Sequence, residues 1–209
     1  MAFSLPISVM HTRVMMKNYI RSELAHFSRW DFTPSRQVAL SAIGTFASWF
    51  IPAFLFVLWA SHYFPEHEFY KKTIDEGKAP NFWNAIAVLG LFLACLVLMF
   101  PRFDFLKSCA ISVLNNTYSI GCLTLGLLLG QWFFLPWEAL IWWQQGLFAG
   151  GSLFLVVIAL IINFWVWYIA YLLSEQSSFL EKFMQMKIWQ RVVIALFFVS
   201  VVILVGINA

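Results

Sequence analysis

Charge is scarce in this chain. Of 209 residues, 11% are charged and 62% are hydrophobic, against roughly 25% and 45–50% in an ordinary soluble domain. A chain of this length still exposes much of its surface, so that much apolar material cannot all be hidden inside one small core. Lipid must be the solvent for a large part of it, and the length leaves room for one membrane domain without a separate soluble catalytic module.

Cysteine is equally sparse. Cys95, Cys109 and Cys122 lie in or beside apolar segments with no CxxC spacing, which excludes a disulfide framework or zinc knuckle and suits buried thiols acting as small hydrophobes. Four histidines occur, at 11, 26, 62 and 67. None falls in the middle of an apolar segment, so a bis-histidine haem inside a bundle has no ligands. There is no GxSxG elbow and no HExxH. The acids Glu23, Asp31, Asp104, Glu175 and Glu181 are scattered, whereas an interfacial lipid-acting enzyme needs them clustered. No cofactor and no nucleic-acid partner is expected.

What the chain does have is long apolar runs. About 20 such residues cross the roughly 30 Å of hydrocarbon, and five segments qualify: 39–61, 83–100, 109–132, 147–172 and 188–207. None has a charge near its centre. Between Ile188 and Ile207 fourteen residues are Val, Ile, Leu or Phe; each favours insertion by about 0.3–0.6 kcal/mol, against a cost of about 3 kcal/mol for a central Arg. Arg191 lies near the end of that segment, where it snorkels. Ionisable groups at mid-depth mark proton and ion paths; their absence weighs against a proton-coupled pump, an ion-coupled antiporter or a voltage sensor. The expected fold is all-α: an integral membrane domain of five transmembrane helices over 39–209, preceded by a cytoplasmic amphipathic segment, 1–38.

Boundary signals support these spans. Thr33-Pro34 reads as an N-cap followed by proline at the first helical position. Pro101 follows the second span, Pro136 interrupts the chain after the third, and Pro52 should kink the first. The first ten residues lack a preceding cationic region, so the first long span, not a secretory signal, is expected to direct insertion.

Orientation follows from the basic residues. With five spans, the regions 1–38, 101–108 and 173–191 share one side and hold ten of the thirteen Lys and Arg residues; Lys71, Lys72 and Lys78 are on the other. Lys and Arg collect on the cytoplasmic face, which places the N-terminus inside and the C-terminus outside. Amphipathic rings agree. Trp59, Tyr63, Trp83, Trp132, Trp137, Trp142 and Trp143 would line the outer interface, and Trp30, Trp167, Tyr168, Tyr171 and Trp189 the inner. Short loops and clean charge asymmetry suit a bacterial inner membrane.

Outside the spans, residues 9–30 read as a surface helix. Val9, Met16, Tyr19, Ile20, Leu24, Phe27 and Trp30 fall on one arc, beside Arg13, Lys17 and Arg21. Such helices lie in the headgroup zone, as a membrane anchor or as a docking surface for a partner or anionic lipid. Pro136, Trp137, Leu140 and Ile141 suggest a second short interfacial helix within 132–146. A weak metal constellation, His62, Glu66 and His67 with Glu68, sits at the end of the first span. Pro65 breaks it, and a solvated loop explains it as well.

The most informative feature is the third span, CAISVLNNTYSIGCLTLGLLLGQW. Ser108, Ser112, Asn115, Ser119, Cys122, Gly126 and Gly130 recur every three or four residues and form one stripe, widened by Asn116 and Thr117. Gly126/Gly130 and Gly146/Gly150 are GxxxG pairs. Small residues let helix backbones approach, and Asn and Ser bond across helices. Paired asparagines at mid-membrane are costly against lipid, so they face protein or water. Three uses fit: packing inside the bundle, with Asn163 of the fourth span as partner; contact with another protein's helix; or the lining of a polar path. The function expected first is a non-catalytic membrane subunit that binds lipids and other membrane proteins (assembly factor, scaffold or inhibitor), or itself in a homo-oligomer. An oligomeric channel or uncoupled transporter, and a lipid-acting enzyme near Glu138 or His62, are the alternatives.

Overall fold

A computed structural model of the chain describes residues 32–64, 78–134, 137 and 140–207. Among the described residues there is no strand. The helices are α1 (Arg36–Tyr63), α2 (Lys78–Met99), α3 (Asp104–Trp132), α4 (Trp142–Leu173), α5 (Phe179–Gln185) and α6 (Ile188–Ile207). Within α1, α2, α3 and α4 lie four helical segments long and apolar enough to cross a membrane. At 1.5 Å per residue, the 29 residues of α3 and the 32 of α4 exceed the roughly 30 Å of hydrocarbon, so their ends reach past it or the helices tilt.

Helix α6 begins with its apolar window of the sequence, whereas helices α1 to α4 begin three to five residues before theirs. Their first turns are polar or aromatic, which lowers hydropathy without opposing helix. Asp104 in the first turn of α3 complements the positive end of that helix's dipole. The cap of α1 is Ser35, not Thr33: its Oγ accepts from the Val38 N–H at 3.3 Å, and Pro34 lies before the helix. Pro52 is accommodated within α1, which continues to Tyr63. At the proposed interfacial helix before the fourth span, Trp142 already opens α4. Gln144 accepts from the Ile141 N–H at 3.1 Å, and Gln145 donates to the carbonyls of Trp137 and Leu140 at 2.7 and 2.9 Å. Pro136 and Glu138 lie outside the described residues, as does the whole amphipathic segment 9–30. The short α5, absent from the sequence reading, tucks Leu180 and Phe183 into the core.

α3 is the hub: α1, α2 and α4 all pack on it, while α6 packs on α2. One core cluster joins Val97 and Leu98 of α2, Ala110 and Leu114 of α3, Val166 of α4 and Ala195 of α6. On the other side, α1 runs parallel to α3. Phe50 of α1 lies level with Gly126 and Val57 with Gly130. Many other large apolar side chains, among them Leu55, Leu153, Leu155 and Ile161, are exposed, as lipid-facing side chains are.

Candidate functional site

The polar stripe of α3 meets its neighbours in two different ways. In its later half it is packed shut. A Cβ on Gly126 would press on the Phe50 carbonyl and come within 3.0 Å of Ala53 Cβ; one on Gly130 would sit 2.7 Å from Val57 Cβ. Glycine there lets two backbones touch, as small residues do between membrane helices. In the earlier half α1 stands away from the stripe. Tyr118 reaches across the gap, its hydroxyl donating to the Ala42 carbonyl at 3.0 Å. Ser112, Asn115 and Asn116 are exposed, and Ser119 is half-buried.

Two hollows flank this open half. The larger, about 760 Å³, lies between the first turns of α1, the early half of α3 and the last turns of α4. Asn115 and Ser119 face it, with Gln37, Ser41 and Thr45 from α1 and Tyr171 from α4. The smaller, about 400 Å³, is a groove between α1 and α2 with α3 as its floor. Trp49, Ile86 and Leu89 form its sides, and Asn116 and Ser119 are its polar floor. The Asn115 and Asn116 side chains make no hydrogen bond among the described residues.

Asn163 does not meet those asparagines. It is buried on α4 and donates to the Tyr118 carbonyl and to Cys122 Sγ, each at 3.2 Å. Its Oδ1 has no hydrogen-bond partner among the described residues and lies where Gly121 would carry a Cβ. Trp83 converges on the same place. Its ring, read from the sequence as one of the outer-interface aromatics, donates Nε1 to the Thr117 carbonyl at 3.1 Å. Consecutive carbonyls of α3 thus receive donors from α2 and α4, beside a glycine small enough to admit both. Gly146 and Gly150 have nothing within 4 Å of a would-be Cβ, so that GxxxG pair makes no such contact among the described residues.

The chain entering α1 is tied to α4. Tyr168 donates to the Phe32 carbonyl at 2.7 Å and Tyr171 to that of Thr33 at 3.2 Å. His62 is exposed and stands edge-on to Tyr63; Glu66 and His67 lie outside the described residues, as do Arg13, Lys17 and Arg21. Among the described residues no three His, Cys, Asp or Glu side chains gather as a metal would require.

Sequence reasoning found Asn115, Asn116, Ser119 and Asn163 but missed the α1 wall of the larger hollow. Its signal was present: Ser41, Thr45 and Ser48 recur at spacings of four and three, a second small polar stripe. No family model matches the chain, and no curated protein or solved structure matches it.

Proposed function

We propose that this chain is a non-catalytic subunit of a bacterial inner membrane which recognises a helix of another membrane protein in the groove floored by Asn116. The observation that carries this reading is that Asn116 is exposed near the middle of α3 and unbonded within the described chain. Leaving an amide without partners in hydrocarbon costs about 4 kcal/mol or more. A neighbouring helix with Ser, Thr, Asn or Gln opposite Asn116 removes that penalty, and Trp49, Ile86 and Leu89 supply apolar flanks for it. In this reading α6, a helix of 20 residues, is the fifth span. The N-terminus is cytoplasmic, and residues 9–30 lie on the inner surface with Arg13, Lys17 and Arg21 toward lipid headgroups.

The test is affinity purification of the tagged full chain from its native membrane in mild detergent, wild type beside Asn116→Leu, with mass analysis of what accompanies each. A stoichiometric membrane protein recovered with wild type and lost with Asn116→Leu, at unchanged melting temperature, is the expected result. Recovery unaffected by the substitution would overturn the groove as the contact. A homo-oligomer broken by Asn116→Leu would replace the foreign partner with a second copy.

A further inference from the structure

The larger hollow is chemically unlike the Asn116 groove. Ten of its fifteen lining residues bear a hydroxyl or amide, and none is charged. Arg36 and Glu175 adjoin lining residues in sequence but are not part of the wall. A site for a phosphate or a metal ion would present charge to it, and this one presents none.

The hydrogen bonds already made say which partner the wall lacks. Thr45 Oγ1 donates to the Ser41 carbonyl, Ser119 Oγ to that of Asn115, Tyr118 Oη to that of Ala42 and Tyr171 Oη to that of Thr33. Each of these hydroxyls has spent its single proton on the protein and retains lone pairs. The amides of Gln37, Asn115 and Gln176 and the hydroxyls of Ser35 and Ser41 add donors as well as further acceptors. The wall therefore offers acceptors and donors without charge, and its complement is an uncharged group that both donates and accepts, as a set of O–H groups does.

Two further features narrow the occupant. Trp167 and Tyr171 lie nearly parallel, 20° apart with ring centroids at 6.1 Å, and both belong to the wall; aromatic faces suit the C–H face of a glycerol or sugar. Trp167 also lines a second, apolar hollow of about 580 Å³ on α4, with Leu160, Ile161, Phe164, Trp165 and Tyr168. A polar chamber and an apolar trough share one residue, as the two ends of an amphiphile require. The volume of about 760 Å³ falls within the roughly 300–1,000 Å³ of small-molecule sites.

We infer that the cavity between α1, α3 and α4 binds the uncharged, hydroxyl-bearing headgroup of a membrane lipid, of the glycosyl-diacylglycerol class, with an acyl chain along the α4 trough beside Trp167. The inference does not depend on the partner-binding role of Asn116, which lies in a different hollow.

The full chain, purified in a detergent without sugar headgroups, is mixed with equal amounts of glucosyl-diacylglycerol, phosphatidylglycerol and phosphatidylethanolamine, and the retained lipid is read by native mass spectrometry. Glucosyl-diacylglycerol should be retained about tenfold over the other two, the equivalent of one or two hydrogen bonds. Ser41→Leu, which fills the chamber, and Asn115→Leu, which strips an amide from it, should each abolish that preference. Should Ser41→Leu fail to fold, Gln37→Leu at an exposed position carries the same expectation. Equal retention of the three lipids, or a preference that survives both wall substitutions, overturns the site. Binding of methyl glucoside as tight as that of the glycolipid overturns the lipid as occupant and leaves a site for a free sugar.

Discussion

Asn163 of α4 donates its Nδ2 to the Tyr118 carbonyl of α3 at 3.2 Å, a side chain reaching the backbone of a neighbouring membrane helix. The Tyr118 carbonyl lies inside a helix and has its own i+4 amide to accept from. The contact therefore adds a second donor to it instead of rescuing an orphan. Interhelical polar contacts in membranes average about 0.6 kcal/mol and reach about 1.7. Asn163→Ala, which also loses the bond to Cys122 Sγ, should cost about 1–2 kcal/mol in reversible unfolding from mixed micelles. No loss of stability would mean that the amide is equally well satisfied in the unfolded, membrane-inserted chain.

Gly121 is the condition for that arrangement. A Cβ there would meet both Asn163 and the Trp83 indole nitrogen, the latter at 2.6 Å. Over-filling a packed interior typically costs about 1–3 kcal/mol, so Gly121→Ala should destabilise by that order. In the double variant Gly121→Ala/Asn163→Ala the cost should fall short of the two single costs combined, because removing Asn163 frees the space the methyl group needs. Strict additivity would place the strain on Trp83 alone.

Gly126 and Asn116 look alike in the sequence, both being members of one small polar stripe, yet substitutions there should fail differently. Gly126→Leu drives a side chain against the Phe50 carbonyl, which as backbone cannot turn aside, so the loss should appear as lowered melting temperature and poor recovery of monomer. Asn116→Leu changes an exposed position and should melt as wild type or slightly higher. Circular dichroism on both variants in the same detergent decides this. Equal destabilisation would mean that the stripe acts as one packing surface.

That pair also shows what was legible in the sequence. Long apolar runs revealed the helices, because insertion depends on composition over a window of about 20 residues, which a single sequence carries. The α3 stripe was legible as a line on one helix face for the same reason, helical periodicity being local. What contacts that line is not local. α1 packs on it at Gly126 and Gly130 and parts from it before Asn115, and a crossing angle is set by the side chains of both helices together. The sequence therefore pointed to Asn115, Asn116 and Gly126 as a group without dividing them. It also placed Trp83 at an interface by its distance from the end of an apolar run. The hydrogen bond its ring makes to α3 depends on the Thr117 carbonyl and the space at Gly121.

Tyr118 spans the wedge where α1 leaves α3, and its hydroxyl is the strut. The Ala42 carbonyl that accepts from it at 3.0 Å is also an α1 backbone acceptor, so deleting the hydroxyl leaves no buried oxygen without a partner. Tyr118→Phe should therefore cost about 0.5–1.5 kcal/mol, the net worth of one hydrogen bond, and leave the Gly126 and Gly130 contacts in place. Its larger effect should be on motion: with the strut gone, the early half of α1 is held chiefly by Tyr168 and Tyr171 through the chain at Phe32 and Thr33. Ser41→Cys in a Cys109→Ser background places a reporter on the cavity wall, the remaining Cys95 and Cys122 being buried. Maleimide labelling of that reporter should quicken several-fold in Tyr118→Phe at nearly unchanged melting temperature. An unchanged rate would assign the position of the early half of α1 to its other contacts, with the Tyr118 ring filling space and its hydroxyl tethering nothing.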